Sequence, residues 1–348
     1  MRKFLFLLLF PLLLFTSKNL EASHAAGLEI TYAPDPGNPG CYIVTVKFYR
    51  DCDGTFAPAS MPLDISSLSC GQNFTATANQ ISFTEISPIC PGYPTTCNPN
   101  PPPGATIYPG IEEYVYEALV CLPVECNDWV ISTEECCRQG SITNLVNPGG
   151  DWIYVETIIN NTQPFTDNNI SAVFDFPPVS FICAGQEFCY NNGAFDADGD
   201  SLYYELIDPM GQGGIAVLYN APFTGQNPFD GTTNFDPQTG NICIIPTAGV
   251  TQVTVLAIQV QEWRDDANGN PQLIGVITRD IQVQVLDCPG NDLPSLSGID
   301  GQFPVNPANL NVDTAICPGT VLDLNFLADD INSVSNGGLD LLTISEIT

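Results

Sequence analysis

The sequence predicts an all-β, disulfide-rich protein made of antiparallel β-sandwiches. Apolar and polar residues alternate along many short runs, and because side chains alternate across a strand, such runs are predicted to be half-buried strands. Clusters of Gly, Pro, Asn and Asp separate the runs, as turns separate the strands of a sandwich. The chain of 348 residues also contains 14 cysteines, 29 glycines and 30 prolines, which indicates a folded, turn-rich protein.

The first 22 residues have the pattern of a secretory signal peptide. Arg2 and Lys3 precede the apolar run Phe4–Phe15, and a polar stretch ending in Ala22 follows. This order of charged, apolar and small residues is typical of such peptides. The run is too short to span a bilayer, and no later stretch approaches the roughly 18–20 apolar residues that a spanning helix needs. We therefore predict a signal peptide over residues 1–22 and a secreted chain without membrane insertion.

Acidic residues dominate the charge. The chain has 39 acidic and 8 basic residues and a formal net charge of −31. Nucleic acids and anionic membrane surfaces are bound through clustered Lys and Arg, so this composition argues against both as partners. Divalent cations would relieve the mutual repulsion of so many carboxylates.

All fourteen cysteines follow residue 22, and in an exported chain an even number is typical of disulfides. Zinc is the alternative, because Cys121, Cys126, Cys136 and Cys137 lie close together; however, the chain has no Cys-x2-Cys spacing and one His. Two pairs are expected, Cys90–Cys97 around a Pro-rich loop and Cys189–Cys243 across adjacent strands. The four closely spaced cysteines are expected to pair among themselves or with Cys41, Cys52 or Cys70.

The predicted strands follow one another without helical periodicity. In chain order, the clearest alternating runs are Cys41–Phe48, Tyr114–Val120, Val253–Val260 and Ile281–Val285. Turn clusters lie at Asp35–Gly40, Asp236–Gly240 and Asp265–Pro271.

A short repeat suggests the domain boundaries. Ile182-Cys183-Ala184-Gly185 recurs 134 residues later as Ile316-Cys317-Pro318-Gly319. We expect a first β-sandwich domain over residues 23–170 and a second over 178–288. A linker over 289–312 and the start of a third, truncated repeat over 313–348 are expected to follow.

The most distinctive motif is Asp196-Ala-Asp198-Gly199-Asp200. An EF-hand needs Gly at loop position 6 and Glu at position 12, but counting from Asp196 these positions hold neither. Ca²⁺ takes six to eight oxygen ligands, so Glu262, Asp280 or Asp287 would have to add to the loop. A solvated Asp/Gly turn is the alternative interpretation.

The segments DADGDSLYYEL (residues 196–206) and NFDPQTGNICIIP (residues 234–246), followed by a strand that ends at Glu262, resemble the cadherin-like modules of bacterial surface proteins. The resemblance implies tandem Ig-like or cadherin-like sandwiches. It also implies Asp196, Asp198, Asp200 and Glu262 as Ca²⁺ ligands near a junction between domains. The matching stretch of the third unit, residues 328–331, departs from the Asp-Gly-Asp pattern.

A wider resemblance covers most of the chain after residue 22. SHAAGLEITYAPDPGNPGCYIVTVKFYRDCDG (23–54), ECCRQGSITNLVNPGG (135–150) and IGVITRDIQVQVLDCPGN (274–291) are similar to the amino-terminal part of large secreted Bacteroidetes proteins, many of which end in a gliding-motility-associated sorting domain. The resemblance implies type IX secretion, a cell-surface location and a role in adhesion.

No catalytic or cofactor-binding residue is predicted. The single His24 leaves no Ser-His-Asp or Cys-His arrangement, so we expect a non-enzymatic protein. Arg50-Asp51, Arg264-Asp265 and Arg279-Asp280 are expected to form ion pairs at strand ends that fix loops.

The sequence thus favours a Ca²⁺-stiffened adhesin or stalk segment, with a surface glycan or protein as receptor and neighbouring repeats of the same chain as further partners. Two alternatives stay open. One is a carbohydrate-binding module of a larger secreted hydrolase, with exposed aromatic residues on one flat face (Tyr108, Trp129, Trp152, Trp263). The other is a subunit of an extracellular filament.

Overall fold

The computed structural model describes residues 25–87, 94–98, 100–105, 107–162, 169–178 and 181–288, together with two short strands further on. The predicted all-β, antiparallel and disulfide-rich fold is confirmed. The strands are β1 (Ala25–Pro34), β2 (Cys41–Asp51), β3 (Ser60–Ser67), β4 (Gln72–Glu85), β5 (Ile111–Cys121), β6 (Trp129–Glu135), β7 (Ile153–Ile159), β8 (Val173–Phe174), β9 (Phe181–Cys183), β10 (Phe188–Asn191), β11 (Ala194–Phe195), β12 (Ser201–Ile207), β13 (Met210–Gly211), β14 (Ile215–Ala216), β15 (Gly231–Phe235), β16 (Asn241–Pro246), β17 (Gln252–Asp265), β18 (Pro271–Leu286), β19 (Ser295–Ser297) and β20 (Leu327–Asp329).

Two 3-10 turns, Pro148–Gly150 and Gln212–Gly214, are the only helical elements among the described residues. No helix in this part of the chain has the length and apolar character needed to cross a membrane. The predicted signal peptide lies outside the described residues, as do nearly all residues of the predicted linker and third repeat.

The first seven strands pair in the order β1-β2-β5-β4-β3-β6-β7. β4 holds the two halves of this arrangement together, because Gln72–Asn79 pairs with β3 while Asn79–Glu85 pairs with β5. The core enclosed by these seven strands consists of buried aliphatic and aromatic side chains, among them Leu28, Trp129 and Ile131. Burying each such side chain is worth about 1.5–3 kcal/mol.

The long strand β18 joins this arrangement to a second sandwich. Along one edge it pairs with β17; along the other it pairs with β7 at Gly275–Ile277, with β1 at Arg279–Ile281 and in parallel with β9 at Gln284–Leu286. The pairings with β7 and β1 close the first seven strands into a ring. The sheet β12-β17-β18-β9 then faces the three-stranded sheet β10-β16-β15 across a second apolar core.

Every described cysteine is in a disulfide. Cys189–Cys243 is confirmed, and the other bonds are Cys41–Cys121, Cys52–Cys97, Cys70–Cys126, Cys136–Cys137 and Cys183–Cys288. The expected Cys90–Cys97 bond is wrong. The backbone N–H of Cys52 donates to the carbonyl of Gly110 at 3.0 Å, and Gly110 packs against the sulfur of Cys97, so Cys97 lies beside the end of β2.

The three Arg-Asp dipeptides have different surroundings. Arg50 fixes a loop, as expected, because its guanidinium donates to the carbonyls of Cys52, Gly54 and Thr55 and pairs with Glu112. Arg264 also binds a loop, as described below. Arg279 and Asp280 differ from the expectation, since they lie in the middle of β18 and are fully buried against partners far away in sequence.

Candidate metal centre

The acidic loop connects β11 to β12 and is organised by its first carboxylate. Asp196 Oδ1 accepts hydrogen bonds from the backbone N–H groups of Asp198 at 3.0 Å and Asp200 at 2.9 Å. Gly199 between them has φ of +80°, a left-handed conformation that glycine adopts without steric cost. The loop is therefore a tight turn wrapped around one oxygen of Asp196.

A less acidic copy of this turn occurs elsewhere in the chain. In Asp266-Ala-Asn268-Gly269-Asn270, Asp266 Oδ1 accepts the N–H groups of Asn268 at 2.8 Å and Asn270 at 2.9 Å, and Gly269 has φ of +79°. The two turns share their backbone pattern, but amides replace the carboxylates at the third and fifth positions. The charges of Asp198 and Asp200 are thus not needed to form the turn.

Three of the four predicted ligands converge. Asp196, Asp200 and Glu262 each offer a carboxylate oxygen, and these oxygens lie within 4.8 Å of one another. Glu262 reaches the loop because β17 pairs with β12, with Glu262 opposite Leu202. Asp198 does not join the cluster; its Oδ2 accepts the N–H of Ile170 at 2.7 Å.

Asp280, which sequence reasoning also considered, is not part of this cluster. Its two oxygens are bound by the guanidinium of Arg138 at 2.8 and 2.6 Å. Because Asp280 lies in the middle of β18, its carboxylate forms a buried ion pair and does not reach the acidic loop.

Glu262 is wholly buried and held from two sides. Its Oε1 accepts the N–H of Ala172 at 2.7 Å, and its Oε2 accepts the side-chain amide of Asn169 at 2.9 Å. Gly275 lies opposite on β18, where a Cβ atom would overlap the Glu262 carboxylate. The lack of a side chain at Gly275 makes room for this buried acid.

One oxygen of the cluster has no hydrogen-bond partner. Asp196 Oδ2 is buried and unbonded, while the residue is 9% exposed. Leaving a buried polar atom unpaired is costly. Carboxylate oxygens are the ligands that Ca²⁺ prefers, so these residues fit a divalent cation.

Arg264, at the end of β17, partly neutralises the cluster. Its Nε and Nη2 donate to the two oxygens of Asp200 at 2.6 and 2.7 Å, and Nη2 also donates to Asn169 Oδ1 at 2.9 Å. A weaker ion pair joins Nη2 to Asp198 Oδ2 at 3.5 Å. One guanidinium for four carboxylates leaves negative charge in excess.

Burial and crowding shift the acid–base behaviour of the cluster. Desolvation, with the nearby charges of Asp196 and Asp200, raises the pKa of Glu262 to about 7, although hydrogen bonds from Ala172 and Asn169 oppose the shift. Burial also raises the pKa of Asp196, with the charges of Asp200 and Asp198 acting in the same direction. Without a cation, the site therefore holds a proton more firmly than ordinary carboxylates do.

A pH dependence follows from the raised pKa of Glu262. The folded state binds this proton more tightly than the unfolded state, whose Glu has a pKa near the ordinary 4.5. The resulting stabilisation is complete below pH 4.5 and is lost as the pH rises to about 7, amounting to roughly 3 kcal/mol. Urea unfolding in calcium-depleted buffer between these pH values should show this loss, and the Glu262→Gln variant should show much less of it. Equal pH dependence in both proteins would contradict the assignment.

Sequence reasoning did not assign Asn169, Ala172 or Gly275 to this site, and it predicted Arg264 to fix a loop without linking it to the acidic cluster. Arg264 lies two residues from Glu262 on the same strand, and that spacing was a usable signal. Asn169 and Ala172 lie about 90 residues before Glu262, and no local pattern marks them.

No family model, curated protein or solved structure matches the chain.

Proposed function

We propose that the chain is a non-enzymatic segment of an extracellular, cell-surface adhesin, and that Ca²⁺ bound by Asp196, Asp200 and Glu262 stabilises it. The observation that carries the calcium part of the proposal is the buried, unbonded Asp196 Oδ2 next to two further carboxylates. The adhesin part rests on the resemblance alone. A hard divalent cation supplies the missing partner and offsets the charge that Arg264 leaves uncompensated.

The position of the site gives the cation a structural role. The segment that bears Asn169 and Ala172 is bound to β1, since the N–H of Tyr32 donates to Ser171 Oγ at 2.8 Å and the N–H of Ser171 donates to the carbonyl of Tyr32 at 2.9 Å. The Asn169 amide contacts both the Tyr32 hydroxyl and Glu262. A cation here would brace the connection between the strand ring and the second sandwich.

Three features support an extracellular setting. Six disulfides join described cysteines, and such bonds persist in oxidising compartments. The acidic excess and the predicted signal peptide agree with export. Secretion by the type IX route is part of the proposal and follows from the resemblance alone.

The first and last long strands of the described unit are neighbours. Gly27 pairs with Ile281, so the beginning of β1 lies beside the end of β18. In our proposal, the end of the unit opposite this pairing is the surface that meets a glycan or protein receptor.

The carbohydrate-binding alternative loses one of its aromatic residues. Trp129 is fully buried in the first core, where its indole N–H donates to the carbonyl of Val124 at 3.2 Å. Trp152 and Trp263 are partly buried. Trp129 is thus not available for a flat sugar-binding face.

Thermal unfolding of the chain in CaCl₂ and in EGTA tests the proposal. Ligand that binds only the folded state adds about 2.7 kcal/mol at a concentration 100 times its dissociation constant, so we expect Ca²⁺ to raise the melting temperature by several degrees. Asp196→Asn should abolish the shift. The matched control, Asp266→Asn in the less acidic turn, should retain it. An unchanged melting temperature in the wild-type chain, or an equal shift in Asp196→Asn, would refute calcium binding at this site.

A further inference from the structure

Arg264 already pairs with one of the carboxylates of the candidate site. Its guanidinium binds both oxygens of Asp200 in a bidentate pair, a geometry that makes charge-assisted hydrogen bonds strong. Asp200 is one of the three carboxylates that converge on the candidate site. A bound metal ion and Arg264 therefore draw on the same carboxylate.

We infer that Arg264 is a resident counter-ion that competes with the metal and sets the affinity of the site. The inference rests on the proposed calcium site. A divalent ion beside Asp196 and Glu262 is repelled by the guanidinium, and its access to Asp200 requires that the Arg264–Asp200 pair weaken. Arg264 thereby lowers the calcium affinity below what the carboxylates alone would give.

The same contacts give Arg264 a second effect on the cation-free protein. It joins Asp200 to Asn169 through Nη2, and Asn169 in turn binds Glu262. These bonds hold the loop against the 169–172 segment while no metal is bound. Arg264 thus keeps the site assembled but lowers its affinity for Ca²⁺. A low affinity suits an extracellular module, since such modules bind Ca²⁺ with dissociation constants of about 10⁻⁴–10⁻³ M.

The backbone of the turn does not depend on Arg264. Asp196 Oδ1 organises it through the N–H groups of Asp198 and Asp200. The turn at Asp266 forms in the same way with amides at the third and fifth positions. The Arg264 side chain is 29% exposed. Replacement of Arg264 should therefore change charge and pairing while the loop stays folded.

Calorimetric titration of the full chain with CaCl₂ tests the inference. Arg264→Gln removes the competing charge and should bind Ca²⁺ at least about fivefold more tightly, since a change of 1 kcal/mol in binding free energy corresponds to roughly that factor. Arg264→Lys keeps the charge but loses the bidentate pair with Asp200, so its affinity should lie between those of wild type and Arg264→Gln. The matched control is Arg50→Gln, which removes another loop-fixing arginine that pairs with Glu112 away from the site; it should leave the affinity unchanged.

The outcomes separate the two proposals. If the wild-type chain binds Ca²⁺ and Arg264→Gln binds equally or more weakly, the counter-ion role is wrong while calcium binding stands. If neither protein binds Ca²⁺, the calcium site itself is wrong and the inference falls with it. All titrations are run below the melting temperature of each variant, so that a loss of folding is not mistaken for a loss of binding. Arg264→Met serves as a second variant that removes the charge.

Discussion

Replacing Asp280 with alanine is expected to destabilise the protein by about 3–5 kcal/mol, because the change leaves a charged arginine buried without its partner. Asp280 and Arg138 are 142 residues apart in sequence and are joined by two hydrogen bonds of 2.8 and 2.6 Å. Their side chains are 2% and 1% exposed. Water cannot replace the lost carboxylate at such a place, so the cost appears as a lower free energy of unfolding in urea.

Two further variants separate the lost pairing from the lost volume. In Arg138→Met/Asp280→Ala no unpaired charge remains, and much of the stability should return, as it does when buried ion pairs are replaced by apolar residues. Glu113→Ala is the control at a looser, partly exposed pair, since it removes a Lys47–Glu113 contact of 3.9 Å and should cost less than about 1 kcal/mol. A loss below 1 kcal/mol for Asp280→Ala would contradict the buried-pair assignment.

Replacing Cys183 and Cys288 with alanine is the second change with a large expected effect, about 2–5 kcal/mol. The bond closes a loop between residues 105 apart in sequence, and in the chain-entropy model a loop of about 100 residues corresponds to roughly 4.7 kcal/mol. It also holds β9 next to β18, where the parallel pairing spans three residue pairs. The second sandwich should therefore unfold at a lower urea concentration.

The Cys136–Cys137 bond provides a control of the opposite kind. It links adjacent residues and closes no loop of the chain, so the chain-entropy term is nearly absent. The double alanine variant at these positions should lose much less stability than the Cys183/Cys288 variant. Equal losses would show that the disulfides act through local packing rather than through restriction of the unfolded chain.

The strand pattern could be predicted wherever one face of a strand meets a core and the other meets solvent. β18 is an exception, because both of its faces are buried. Gln282 falls on the polar side of the Ile281–Val285 alternation, yet it is 7% exposed and donates to Gln139 Oε1 at 2.9 Å. Residues 138–145 pack against this second face of β18. The alternation within β18 itself does not predict that this face is buried.

The carboxylates of the candidate site could be predicted from the sequence, but the residues that hold them in place could not. Asp196, Asp200 and Glu262 converge because the loop and β17 meet through regular strand pairing with β12. The resemblance to cadherin-like modules also implies Asp198 as a ligand, but its carboxylate accepts the backbone N–H of Ile170. The packing of Asn169 against Tyr32 and Glu262 depends on long-range contacts between β1, β17 and the connecting segment, which the sequence does not encode locally.

The calcium proposal is tested most directly by anomalous X-ray scattering from crystals of the chain grown with CaCl₂. We predict one anomalous peak beside Asp196 Oδ2 and the Glu262 carboxylate, at the oxygen distances of about 2.3–2.6 Å that Ca²⁺ adopts. An absence of density at this cluster in crystals that hold calcium elsewhere, for example at the exposed turn of Asp266, would contradict the proposal.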